Sequence, residues 1–143
     1  MKGNTTIRYE QLIPEVMQGF AHAQAIVGSA GLERPLHHLV MLRASQINGC
    51  AFCVKLHTRE AREEGETNER LDRLVVWRHV HDFTPRERAA LAWTEAMTRL
   101  EDQDLLAELR AGLREHFDEQ EIAVLGATVA MINLWNRIAI SNH

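Results

Sequence analysis

Apolar residues recur at three- and four-residue intervals along almost the whole chain, and no segment sustains the period-two alternation between turn signals that a sheet requires. The pattern predicts an all-α fold of about six helices, seven once the stretch after Leu100 is split in two. Leu12, Ile13, Val16, Met17, Phe20, Ala23 and Val27 outline a first helix from about Tyr9 to Ser29, with Gly31 as its left-handed cap. Pro35 suits the first turn of a second helix, reaching to about Gln46, before the Asn48-Gly49 break. A third runs from about Cys50 to Glu64 and stops at Gly65, and a fourth begins at Thr67 or Asn68 and carries Leu71, Leu74, Val75 and Trp77. Thr84-Pro85-Arg86-Glu87 reads as a capping box opening a fifth helix to about Leu100. Asp118 to Glu121 resembles a second box, which splits the rest into a helix near Leu105 to Glu115 and one near Glu119 to Ile140. That final helix is apolar on most of its faces, as expected of a central or interface position.

Composition narrows the picture. With 143 residues, 45% hydrophobic and 25% charged, the chain reads as one globular domain, residues 1–143, large enough to bury a core without metal or disulfide staples. Sixteen Lys and Arg against twenty Asp and Glu leave no basic excess for a phosphate backbone, so nucleic acid is not an expected partner. No secretory signal follows Met1 to Glu10, and no apolar run approaches the roughly twenty residues that cross a bilayer. A cytoplasmic protein with no membrane contact is the expectation.

The two cysteines, Cys50 and Cys53, are the most informative feature. In a reducing compartment a pair three residues apart points to redox or metal chemistry. At about 100° per residue, Cys50, Cys53 and His57 share one helical sector and can face one pocket. The preceding break sets Cys50 at a helix N-terminus, where free amides and the helix dipole favour thiolate, and an imidazole nearby can take the proton. A thiolate attacks hydroperoxides, and a second thiol one turn away traps the sulfenic acid as a disulfide. Inert packing of two small hydrophobes is the weaker reading, and a structural disulfide weaker still, because so short a loop constrains little unfolded-state entropy. Zinc is the stronger rival, but Cys50, Cys53 and His57 make only three ligands, with His37, His38, His79 or His81 as the possible fourth. A c-type haem attachment fails because Val54, not His, follows the second cysteine.

The run Arg43-Ala44-Ser45-Gln46-Ile47-Asn48-Gly49-Cys50-Ala51-Phe52-Cys53, then His57, resembles the alkylhydroperoxidase AhpD-like core of the carboxymuconolactone decarboxylase superfamily. Phe83 to Glu95 and Ile132 to Arg137 extend the resemblance over most of the chain. It implies an all-helical fold assembling as a homo-oligomer, a trimer or hexamer. It also implies thiol-dependent peroxidase activity without a bound cofactor, recycled by an external lipoyl-like or thioredoxin-like dithiol. Cys50, Cys53 and His57 take the family's catalytic positions. Cys50, nearer the helix start, is expected to attack and Cys53 to resolve, though the order can be reversed. One position departs from the pattern: where the family usually has Glu, twelve residues before the first Cys, this chain has His38. An imidazole there either preserves a proton relay, marks lost activity or another substrate, or is simply a partly exposed histidine beside His37. Glu60 can substitute, but a solvated surface carboxylate is its plainer reading. Trp77, Trp93 and Trp135 read as core or interface anchors, His79 and His81 as surface loop residues, and Asn133, Asn136 and Arg137 as groups for pocket or interface hydrogen bonds. Two alternatives stay open: a decarboxylase acting on a muconolactone-like acid by acid–base groups, and a non-enzymatic redox-sensing oligomer.

Overall fold

The computed structural model describes Gly3 and residues 5–143; among these, eight α-helices and no strand are found. They are α1 (Tyr9–Leu12), α2 (Pro14–Gly28), α3 (Arg34–Asn48), α4 (Ala51–Glu63), α5 (Asn68–Arg73), α6 (Pro85–Arg99), α7 (Leu106–Arg114) and α8 (Glu119–Ile140). Two 3₁₀ segments, Leu74–His79 and Gln103–Leu105, lead on from α5 and into α7.

Both capping boxes form. Glu87 N donates to Thr84 Oγ1 (3.1 Å) and Thr84 N to Glu87 Oε1 (2.8 Å), while Glu121 N donates to Asp118 Oδ1 (2.7 Å) and Asp118 N to Glu121 Oε1 (3.1 Å). The helix expected from Tyr9 to Ser29 is instead broken at Ile13, whose backbone lies at φ −133°, ψ 58°. The cause is Pro14, which disfavours helical geometry in the residue before it. Likewise the fourth expected helix is α only to Arg73. From Leu71 in α5, Leu74 and Trp77 follow at a three-residue spacing that suits a 3₁₀ continuation and buries all three.

Helix α3 is the axis of the fold, packing on α4, α6 and α8. One side sends Leu36 and Val40 among Ala90, Trp93, Leu113, Phe117, Val124, Leu125 and Val129. Another sends Leu39 and Leu42 among Ala61, Leu71, Leu74, Trp77, Phe83 and Leu91, and a third sets Met41 and Ala44 against Ile132. Each of these buried aliphatic side chains contributes roughly 1.5–3 kcal/mol of transfer free energy. Polar groups are enclosed as well: Arg43 donates to Glu95 Oε1 through Nε (3.0 Å) and Nη2 (2.8 Å), and the same oxygen accepts Trp77 Nε1 (2.9 Å).

Helix α8 packs on α3 and buries Val124, Leu125, Thr128, Val129, Ile132 and Asn136, six of its 22 residues. One expectation needs correction. At 22 residues α8 is long and apolar enough, by length and composition, to match a membrane span. Of that apolar window 33% is buried within the chain.

Candidate active site

The site is built on the elbow between α3 and α4. Gly49, at φ 69° and ψ 33°, turns the chain through a left-handed conformation that a side chain would strain, while its N–H and that of Cys50 return to Gln46 O (3.2 Å) and Ser45 O (3.1 Å). Cys50 is then the N-cap of α4, and its sulfur accepts the N–H of Cys53 at 3.2 Å. Three amides lock this elbow to α8. Asn48 Nδ2 donates to Asn133 Oδ1 (2.9 Å) and Asn136 Oδ1 (2.8 Å), and Asn136 Nδ2 donates to Ser45 Oγ (3.0 Å). The sequence flagged Asn133 and Asn136 but not Asn48 or Ser45 as their partners.

Cys50 and Cys53 are joined as a disulfide, with Cα atoms 5.2 Å apart. Both sulfurs are shielded, but only Cys53 borders a cavity of about 960 Å³, partly open to solvent and lined from α1, α2, α3, α4 and the end of α8. Met17, Met41, Phe52, Leu56 and Trp135 give it an apolar wall, and Arg34, His37, His38, His57, Glu60 and Glu64 a polar one.

The polar wall gathers two sequence candidates around an acid. His57 Nδ1 lies 3.2 Å from Glu60 Oε2, and His38 Nδ1 lies 3.7 Å from the same oxygen. His38 Nε2 faces Arg34 Nη2 at 3.4 Å and Glu64 Oε1 at 3.7 Å. Far from being a partly exposed helix histidine, His38 is 3% exposed and stacks edge-on against the equally buried His37. Glu60 is not a freely solvated carboxylate either; it closes the gap between the two imidazoles. What hid it in the sequence is that its partner His38 comes from another helix, so only the packing of α3 on α4 brings them together.

Burial holds all three imidazoles below their ordinary range. His37 is pushed down to about 4 by burial, then by His38 and Arg34. His38 is lowered by burial and Arg34 against the pull of Glu60 and Glu64, and His57 by burial against its hydrogen bond to Glu60. Near neutral pH each is therefore an uncharged ring, able to accept a proton. Buried Nδ1 atoms of His37 and His38 have no hydrogen-bond partner.

Among the described residues, no three of His, Cys, Asp and Glu are disposed to hold a metal ion. His79 and His81 lie exposed in their connection, away from this wall. Trp77 and Trp93 are buried in separate parts of the core, and Trp135 lines the cavity and donates to Gln24 Oε1 at 3.2 Å.

A sequence model of the carboxymuconolactone decarboxylase family matches residues 14–96, the stretch from α2 through α6 that holds the elbow and its cysteines. The chain is an AhpD-like member of the carboxymuconolactone decarboxylase family. It is 35% identical over 94% of its length, and 92% of the relative's, to the uncharacterized protein YdfG of Bacillus subtilis. It is 38% identical to a crystal structure of a protein of unknown function from Agrobacterium tumefaciens, described as a candidate antioxidant defence protein AhpD. That structure superposes with a TM-score of 0.90 over 95% of this chain and 93% of the other. The debrominase Bmp8, 17% identical over 90% of this chain and 69% of its own, superposes at a TM-score of 0.80 and shares the fold. A shared helical fold does not by itself assign an activity, so the chemistry of this family member rests on its own side chains.

Proposed function

We propose that this family member is a thiol-dependent peroxidase that reduces hydroperoxides through a Cys50–Cys53 dithiol and disulfide cycle. The observation that carries the reading is one juxtaposition: a bonded cysteine pair at a helix N-terminus, one sulfur bordering a cavity beside neutral, buried imidazoles. Access favours Cys53 as the attacking sulfur, the reverse of the order suggested by closeness to the helix start. Cys50, wholly buried and accepting an α4 amide, is suited to resolving, because that amide stabilises its thiolate.

In the reduced enzyme His57 takes the Cys53 proton, and the thiolate attacks a peroxide oxygen. The S–O bond forms as O–O breaks, and the departing alkoxide takes a proton from the imidazolium to leave as alcohol. Cys50 then gives up its thiol proton and attacks the Cys53 sulfur; S–S forms, S–O breaks, and the departing hydroxide takes up that proton to leave as water. Two thiols lose two electrons and one hydroperoxide gains them. An external dithiol, lipoyl-like or thioredoxin-like, restores the pair by thiol–disulfide exchange. His38, across Glu60 from His57, belongs to the proton-handling wall.

The same reading takes residues 1–143 as one domain working in the thiol-reducing cytoplasm and assembling as a homo-oligomer, a trimer or hexamer. Exposed apolar residues on α2, Val16 and Ile26, support association. The test is intact mass with thiol counting after one equivalent of cumene hydroperoxide on the reduced protein. Loss of two thiols and two hydrogens, with a sulfenic acid trapped on Cys53 in Cys50→Ser, is the expected result; unchanged thiols would sink the reading.

A further inference from the structure

We propose that Glu60 is a positioning residue, holding His57 in the tautomer whose Nε2 is free to take the Cys53 proton. The inference rests on the peroxidase reading for its consequence and on geometry for its substance. Glu60 Oε2 is 3.2 Å from His57 Nδ1, three residues back on the same helix. A carboxylate only accepts, so this nitrogen must carry the hydrogen, and a neutral ring then has its lone pair on Nε2. Cys53 lies four residues before His57, one turn away on the same helix, and both line the cavity. The carboxylate is in contact with the imidazole, and the four-residue spacing sets that imidazole on the same helix face as the cysteine, the order in which an acid orients a base that activates a nucleophile.

The neighbours explain why Glu60 stays in place. Its side chain is only 34% exposed, and His38 Nδ1 waits 3.7 Å from the same oxygen with no other partner. His38 thus forms the far wall of the slot that holds the carboxylate against His57. Arg34 and Glu64 offset each other at 3.5 Å on the other edge of that ring, leaving Glu60 as the carboxylate aimed at His57.

Two measurements decide it, and neither needs a hydroperoxide. In the first, ¹⁵N spectra of the histidine side chains are recorded for the reduced protein. His57 is expected with its proton on Nδ1, and Glu60→Ala is expected to transfer a large share of the population to the other tautomer. In the second, Cys53 is alkylated with iodoacetamide at pH 7 in a Cys50→Ser background. Glu60→Ala is expected to slow alkylation about fivefold or more, and the same-sized Glu60→Gln, whose amide oxygen still accepts from Nδ1, to slow it less. The sign is diagnostic. A carboxylate acting only as a nearby negative charge raises a thiol's pKa, so removing it would speed alkylation. Faster or unchanged alkylation in both variants, or a wild-type proton on Nε2, overturns the proposal. Failure of the wild type to consume cumene hydroperoxide would instead overturn the peroxidase reading and leave these two results standing.

Discussion

Helices α2 and α3 are both fifteen residues long and both line the cavity, yet they are treated oppositely by the fold. In α3 every residue from Leu36 to Ser45 is buried, including His37, His38, Arg43 and Ser45. In α2, the more apolar of the two, only Met17 is buried, and Val16 and Ile26 remain about half exposed. Burial therefore follows position among neighbours rather than side-chain hydrophobicity. α3 is enclosed by three helices, so its polar groups must find partners inside, and those enclosed groups are the ones with chemistry to offer. α2 covers the cavity and is itself left uncovered.

If chemistry belongs to the enclosed side, substitutions at the α3–α4 elbow should dominate function. Cys53→Ser is expected to lower donor-supported hydroperoxide turnover about a thousandfold or more, read as peroxide consumption coupled to dithiol oxidation. Turnover near the wild-type rate would move the chemistry away from the elbow. Stability should show the same asymmetry. Glu95→Ala would leave Arg43, 6% exposed, as a buried guanidinium without its carboxylate, and should cost about 3–5 kcal/mol in urea unfolding. A loss under 1 kcal/mol would mean that Arg43 reaches water, and that α3 is less enclosed than the comparison holds.

Enclosure also predicts a pH dependence. His37 titrates at about 4 when folded and at 6.5 when unfolded, so between these values the unfolded chain binds more protons. Stability from this group is complete above pH 6.5 and falls as the pH drops toward 4. Discounted for solvent in the cavity, the loss is on the order of 2 kcal/mol. His38 and His57 shift in the same direction and add to it. Urea midpoints measured across this range should flatten in His37→Gln; an equally steep fall in that variant would assign the loss to other groups.

How much of this was legible in the sequence depends on the range over which each feature is specified. The all-α class and the boxes at Thr84 and Asp118 were readable because a cap is decided within four residues. The Asn48-Gly49 break was readable for the same reason, and with it the helix start that carries Cys50. The Pro14 break was written equally locally but was masked by an apolar period running straight across it. Ser45 and Asn48 were not assigned their roles, because their partner Asn136 arrives from another helix. Glu60 sits within local reach of His57 on α4, but the second imidazole against it, His38, is brought by α3. A one-dimensional period places a residue on a face; it does not say what the face meets.

The smallest expected change in the folded chain is on the uncovered side, and it tests what α2 is for. Val16→Glu and Ile26→Glu replace side chains that are 46% and 56% exposed, so each should alter monomer stability by no more than about 0.5 kcal/mol. Removing the same apolar area from an interface between copies would be far more costly, because burial between subunits contributes about 25 cal/mol per Å² and a carboxylate enclosed there has no partner. Sedimentation velocity of the wild type is expected to show an oligomer, and the two variants a smaller species with an unchanged urea midpoint for the chain itself. A variant that keeps the wild-type mass would show that α2 is exposed in the assembled protein too. The cavity's outer wall would then face solvent, and its apolar lining would have to be explained by substrate alone.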